Sequence, residues 1–358
     1  MKEDHLSRIK LSGYKSIKEC DLILTELNIL IGANGAGKSN FIGVFKLVQQ
    51  LLEGNLQNFI TRNGGPDSFL RFGRKRTEKL SAEFYFGNNG YKFVLEPTAD
   101  NRMMFSEENL YWNTTGDTSV GSGHLESRAA ECRHGVLDYV IPPMKAWQVY
   151  HFHDTSETAF VKRIHAINDY NYLRPDARNL AAFLYHLQNH HAEAYHQIVK
   201  TIQLVAPFFG NFCLRKNADN PENIELEWFE KGEDVPLKAH YLSDGTLRFI
   251  CLATVFLQPE SIQPQTILVD EPELGLHPYA IKILASLIRS ASKIKQVIIS
   301  TQSVTLLNEF ESEHLVIVDR KDGSSILRRI EENELTEWLK EYSLGELWEK
   351  NIFGGRPK

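Results

Sequence analysis

Apolar and polar residues alternate in short runs from Leu6 to Ile31, in RIKLSGY, DLILT and LNILI, each closed by turn-forming or charged residues. This period of two predicts three strands. The period then changes: Phe41, Val44, Phe45, Val48 and Leu52 recur at helical spacing and predict a helix over about 38–52. SAEFYFGNNGYKFVLEP reads as a hairpin turned at Gly87-Asn88-Asn89-Gly90, and the polar stretch after it, to about Gly135, as loops and edge strands. Pro142 and Pro143 predict a loop before the strand WQVYHFHD. Leu180, Phe183, Leu184 and Leu187, then Ile198, Ile202 and Val205, predict two helices ending at Pro207. Beyond them come a strand NIELEWFE, a helix after Ser243, the apolar strand TILVD, a helix from about Pro278, and the strands QVIIS and HLVIVD. Strand and helix alternate there as in a parallel sheet. No internal repeat or long heptad run interrupts the pattern. The expected organisation is an N-terminal lobe with a β-rich subdomain (1–154), a helical insert (155–240) and a C-terminal lobe (241–358) sharing one sheet.

Charge narrows the range of partners. The 358 residues hold 40 Lys and Arg against 46 Asp and Glu, a net charge of −6, so the chain as a whole is no polybasic nucleic-acid binder and any such contact must be local. The best local patch is Arg71, Arg74, Lys75, Arg76 and Lys79, flanked by Phe69 and Phe72. It reads equally as a DNA-backbone grip and as a solvated hairpin edge blunted by charge. The start is charged where a secretory signal would be apolar, and no segment approaches a membrane span, so a cytoplasmic protein without membrane contact is expected. Cys20, Cys132, Cys213 and Cys251 form no CxxC pair and are expected to be buried free thiols. His151 and His153, spaced i, i+2, share a strand face and have a spacing that can hold zinc. No third ligand is evident, and a structural or nucleotide-site role is the expectation.

Three motifs carry the chemistry. Gly32-Ala33-Asn34-Gly35-Ala36-Gly37-Lys38-Ser39 matches GxxxxGK[ST], follows an apolar strand and opens a helix. Its glycines let backbone N–H groups turn toward phosphate, Lys38 brings a point charge to the β/γ-phosphates, and Ser39 offers a hydroxyl to Mg²⁺. Asn34, Gly35, Ala36, Gly37, Lys38, Ser39 and Asn40 are therefore the candidate ATP contacts. Thr266 to Pro272, TILVDEP, ends an apolar strand in two carboxylates. Asp270 is placed to hold Mg²⁺ through water and Glu271 to orient or deprotonate an attacking water, the plain alternative being a capping or solvated acidic pair. His240 to Arg248, HYLSDGTLR, sets Ser243 and Gly245 at a helix N-terminus. That is an anion site in principle and a plain N-cap otherwise.

In HYLSDGTLR the chain resembles the ABC-type ATPases of the RecF, SMC and OLD groups, and the order of phosphate loop, inserted lobe, signature, Walker B strand and switch strand matches theirs. LSGYKS, with Lys15, is similar to their N-terminal FKS-type strand, and EPELGLHP to their EPExxLHP loop. WQVYHFHDTS, RPDARNLAAFL and YSLGELWEKN look like small stand-alone predicted ATPases of bacteria. The resemblance implies an α/β P-loop NTPase fold, an ABC-type ATPase head with a mixed sheet and an inserted helical lobe. It also implies Lys15 near the nucleotide, and Ser243 and Gly245 acting in trans on the γ-phosphate across a head-to-head homodimer. Two positions depart from the pattern: Ser300-Thr301-Gln302-Ser303 stands where many members have a switch histidine, leaving Gln302 to sense the γ-phosphate. The Q-loop place falls on His153 or Asp154, with Gln148 a weaker candidate, and stays unassigned. Heptad arms and a CxxC hook are missing, and the roughly forty residues after HLVIVD are too few for a Toprim nuclease, so a separate effector is expected. The implied function is an ATP-hydrolysing conformational switch in DNA repair or phage defence that controls a partner nuclease or toxin. The competing class is a nucleotide-dependent scaffold with negligible hydrolysis. Ser343 and Glu346 fit a capping box, flanked by apolar Leu335, Trp338, Leu339, Leu347 and Trp348 that read as core by default and as a partner-docking helix in the sharper reading.

Overall fold

The computed structural model describes residues 5–112, 116–131, 135, 137–331 and 334–355; Cys132 lies outside them. The chain divides into two compact units, neither a single run of sequence: 1–149 with 264–270 and 295–358, and 150–263 with 271–294.

The first unit is built on a mixed sheet. Its strands are β1 (Arg8–Tyr14), β2 (Ile17–Ile23), β3 (Leu27–Ile31), β4 (Leu80–Phe86), β5 (Asn89–Pro97), β6 (Met103–Trp112), β7 (Gly116–Gly121), β8 (Gln148–Tyr150), β14 (Thr266–Asp270), β15 (Gln296–Thr301), β16 (Leu315–Lys321) and β17 (Ser324–Arg329). They stand in the order β7-β6-β5-β4-β1-β2-β17-β16-β3-β15-β14-β8. The β7 to β2 side is antiparallel, as its alternating burial requires, whereas β14, β15, β3 and β16 run parallel. β3, β14 and β15 are buried at every residue, the pattern of strands covered on both faces. Helix α1 (Lys38–Leu52) covers one face with Phe41, Val44, Phe45, Val48 and Leu51, and Phe45 meets the buried Trp147 edge-on at 4.8 Å between ring centres. Helices α2 (Leu56–Arg62), α3 (Leu137–Lys145), α8 (Val304–Leu307) and α9 (Leu344–Glu349) complete the unit. The Ser343–Glu346 capping box forms, and Leu347 and Trp348 are buried, while Trp338 and Leu339 stay exposed.

Two stretches of this unit differ from the pattern-based reading. Pro142 and Pro143 lie inside α3, because burying Val140, Ile141 and Met144 in the core outweighs the backbone hydrogen bonds that two prolines remove. The polar stretch after β5 forms a ten-residue strand, β6. Its polarity is internal: Glu108, fully buried, accepts from Tyr91 OH (2.6 Å), Ser127 Oγ (2.5 Å) and Arg128 N (3.1 Å) and meets His124 Nε2 at 2.8 Å.

The second unit holds α4 (Leu180–His190), α5 (Ala192–Val205), α6 (Asp244–Leu257) and α7 (Pro278–Ser292). It also contains strands, so the stretch read as a helical insert is mixed: β10 (Phe209–Phe212), β12 (Glu227–Glu230) and β13 (Pro236–Lys238) form one small sheet, and β9 (His165–Ala166) pairs with β11 (Asn223–Ile224). NIELEWFE is thus divided between two sheets. Helix α5 packs on α4 and α6 through Tyr195, Ile198 and Ile202. Cys20 and Cys251 are buried free thiols, as expected, with burial pushing each up to about 12, and Cys213 is a half-buried free thiol. Among the described residues no helix is long and apolar enough to cross a membrane.

Candidate nucleotide site

β3 runs directly into the loop Gly32–Gly37, and α1 starts at Lys38. Close neighbours dictate two of the glycines, one a backbone carbonyl and one a side-chain hydroxyl. A Cβ on Gly32 would stand 2.1 Å from Val318 O, and one on Gly37 2.0 Å from Ser325 Oγ, with Gly37 at a left-handed φ of 117°. Gly35 (φ 76°) has open space where a side chain would be. Gly37 is the N-cap of α1 and no side chain caps it, so the first-turn N–H groups and the positive end of the helix dipole are offered to a ligand. Lys38 is 4% exposed and lies back along the loop, its Nζ donating to Gly32 O (2.6 Å) and Ala33 O (3.1 Å). Ser39 is exposed, and Asn40 donates through Nδ2 to Ser16 Oγ (2.7 Å).

Register brings the next residues to the same edge of the sheet. Asp270, at the end of β14, pairs with Ser300 on β15, and Ser300 pairs with Leu30 on β3, one residue before the end of that strand. The phosphate loop, Ser300, Thr301 and Asp270 therefore emerge side by side from three parallel strands, the usual place for a ligand in an open α/β sheet. The Ser300 hydroxyl is buried there without a hydrogen-bond partner among the described residues. Gln302 follows β15, half-buried, and Ser303 caps α8 by accepting from Leu306 N at 3.1 Å. Lys15, also left-handed (φ 47°), sits with its ammonium over the Tyr14 and Phe69 rings at 5.5 and 5.4 Å. Burial, then the charge of Lys46, lowers its pKa.

The other candidates lie in the second unit. Ser243 is the N-cap of α6 and is exposed; its Oγ accepts from Thr246 N at 3.2 Å. Gly245 passes so close to the loop after Glu271 that a Cβ would stand 2.5 Å from Gly275 O. Glu271 itself is left-handed (φ 47°), a strained backbone for a non-glycine residue. Arg248, one turn along α6, gathers the surrounding loops: it donates to Phe152 O (3.0 Å), His153 O (2.9 Å), Thr155 Oγ1 (3.3 Å) and Leu274 O (2.9 Å). Buried Lys162 donates to Thr155 O at 2.6 Å and lies 4.0 Å from the Asp244 carboxylate. The His151 and His153 rings are 3.7 Å apart, and no group of three His, Cys, Asp or Glu able to hold a metal occurs among the described residues.

In the basic patch, Arg71 donates to Ser324 Oγ (2.7 Å) and Arg74 pairs with Asp67 (3.1 Å), so two of the five cations are engaged within the fold. Lys75 and Arg76 are exposed. The residues that sequence reasoning did not single out are Ser325, Gly355 and Arg320, whose Nη1 donates to Gly35 O at 3.4 Å. None has a local signature, since each reaches the loop from a distant part of the chain.

With this geometry in hand, comparison with known proteins gives a consistent result. A family described as "AAA domain, putative AbiEii toxin, Type IV TA system" matches residues 27–108 and 137–308. The Old nuclease of Escherichia phage P2 is 23% identical over 374 residues, covering 94% of this chain; the chain spans 63% of that protein's length. Among solved structures, the Smc head bound to the C-winged helix domain of ScpA is similar with a TM-score of 0.62 at 18% identity, covering 93% of this chain and 100% of that one. The Smc head domain from Pyrococcus furiosus, with an extended coiled coil and bound to the C-terminal domain of ScpA, gives 0.59 at 15% identity over 94% of this chain and 99% of that one. The fold is that of an ABC-type ATPase head.

Proposed function

We propose that this chain, which belongs to the AAA domain family whose profile it matches and is an ATPase of the RecF, SMC and OLD kind, works as an ATP-driven conformational switch between two copies of itself. The observation that carries this reading is the meeting of an uncapped phosphate loop, a buried carboxylate and the end of β15 at one sheet edge. In this role the loop N–H groups and Lys38 bind the ATP phosphates, Lys38 exchanging the Gly32 and Ala33 carbonyls for phosphate oxygens. An exposed Ser39 hydroxyl and Asp270 fit Mg²⁺, which takes few protein ligands beside phosphates and water; bound there, it supplies charge neutralisation. Glu271 orients or deprotonates the attacking water, and Gln302 reads the γ-phosphate through its amide. Ser243 and Gly245, presented at the exposed start of α6, act on the nucleotide of the other copy in a head-to-head dimer.

The switch serves DNA repair or phage defence by governing a nuclease or toxin. The support is similarity to the Old nuclease along 94% of the chain and a family description that names a toxin. The test is phosphate release against protein concentration, with and without double-stranded DNA, for wild type and Glu271→Gln. A steep rise with concentration that Glu271→Gln abolishes is the expected result, and DNA stimulation would identify a nucleic-acid trigger. No release above the mutant's background would replace hydrolysis by a nucleotide-dependent scaffold, a reading the glutamine at 302 favours.

A further inference from the structure

Besides the long contact from Arg320 to Gly35 O, the phosphate loop is held more closely from outside its own motif at two places. The first is Ser325 on β17, 1% exposed, whose Oγ lies 2.5 Å from Ala36 O and 2.7 Å from Ser16 Oγ. Asn40 Nδ2 donates to that same Ser16 oxygen at 2.7 Å. A hydroxyl has one proton to give. Ser325 Oγ shares that proton between the Ala36 carbonyl and Ser16 Oγ, so Ser325, Ser16 and Asn40 form one connected path. Ala36 and Asn40 stand on either side of Gly37-Lys38-Ser39, so this path fixes both flanks of the phosphate-binding turn. It also explains the glycine at 37, since Ser325 Oγ occupies the place of a Cβ.

The second hold is Gly355. Its carbonyl accepts from Ala33 N at 2.6 Å, and its left-handed backbone (φ 80°) packs so closely that a Cβ would lie 3.2 Å from Ile317 Cγ2 and 3.5 Å from Gly32 Cα. The segment is anchored just before this point. Phe353 is buried, and its carbonyl accepts from Arg328 Nη2 (2.9 Å), while Arg328 grips Glu334 through two bonds of 2.8 Å. Ala33 is thus held on both sides, its N–H by Gly355 and its carbonyl by Lys38 at 3.1 Å.

We propose that Ser325 and Gly355 are positioning residues of the nucleotide site, acting on ATP through the backbone of the phosphate loop. The inference rests on the reading of that loop as the ATP site. It makes the Phe353–Gly355 segment sensitive to nucleotide: when Lys38 leaves the Ala33 carbonyl for a phosphate, Gly355 keeps Ala33 in place. By linkage, ATP must then alter the protection of this segment by the same factor that the segment alters ATP affinity.

The experiment uses the full chain, a fluorescent ATP analogue and steady-state phosphate release. Ser325→Ala is expected to weaken nucleotide binding and raise KM about five- to tenfold, the worth of one buried hydrogen bond, with kcat nearly unchanged. Ser325→Thr, which keeps the hydroxyl, should restore most of it. Gly355→Val, disfavoured at this φ, should weaken binding by a similar factor, and amide exchange at 351–355 should slow when nucleotide is added. A merely structural role would lower the unfolding temperature while leaving Kd and KM alone. Wild-type Kd and KM in both Ser325→Ala and Gly355→Val would overturn the inference. If wild type itself binds no better than Lys38→Ala, the ATP reading fails and the inference with it.

Discussion

Helices α1 and α6 both begin beside residues suited to an anion, yet their first turns are treated in opposite ways. At α1 the N-cap is a left-handed glycine with no side-chain cap, and the loop before it is held by Lys38, Ser325 and Gly355 from around it. At α6 the N-cap is Ser243 in extended conformation, satisfying the helix with its own hydroxyl, exposed, and secured from behind by Arg248. The first is a receptacle whose donors are kept for a ligand. The second is a finished helix end that gains a role when something is brought to it, which is why the trans-dimer reading suits Ser243 and Gly245 better than a ligand site within one chain.

The largest effect that separates the two ends is expected from Lys38→Ala, which should reduce nucleotide affinity and phosphate release at least about a hundredfold, against unchanged nucleotide affinity in Ser243→Arg with turnover lost. Equilibrium binding and phosphate release on both variants check this; loss of nucleotide binding in Ser243→Arg would erase the distinction. Next comes Arg248→Ala, which removes the guanidinium behind α6 and should destabilise the second unit by roughly 2–4 kcal/mol, with Arg248→Lys recovering little because one ammonium does not reproduce the fork. Denaturant unfolding measures it, and an effect below about 0.5 kcal/mol would show the anchoring to be incidental.

The smallest contrast is in response to acid. In the second unit His186 stacks between Tyr170 and His190 at 4.5 Å on each side, with His191 at 5.7 Å. Burial, then the neighbouring charges of His190 and His191, lowers its pKa from the ordinary 6.5. The unfolded chain binds this proton more readily than the folded one, so the contribution to stability is present above about pH 6.5 and is lost as the pH falls through the folded value. His186→Phe should therefore lose about 1–2 °C less than wild type in unfolding midpoint between pH 7.5 and 5.5. Equal losses would remove histidine from the account.

Much of the site was legible because its residues are contiguous. The strand before Gly32, the helix from Lys38 to Leu52 and the apolar run ending at Asp270 announce themselves by period and by glycine spacing, and the structure places all three where those patterns put them. A motif of this kind is local physics: glycines permit the turn, and a buried strand and an amphipathic helix fix its ends. Tertiary structure alone decided what depends on contacts across the chain. The buried polarity around Glu108 made a full inner strand, β6, out of part of a stretch read as loops and edge strands, and burial of Val140 and Met144 carried α3 through two prolines. Register set Asp270 beside Ser300, and Ser325 and Gly355 reached a loop some three hundred residues earlier in the sequence. A hydroxyl or a carbonyl has no periodic signature, and its partner is known only once strand order is settled, because hydrogen bonds are fixed by distances of about 3 Å in space and not by separation along the chain.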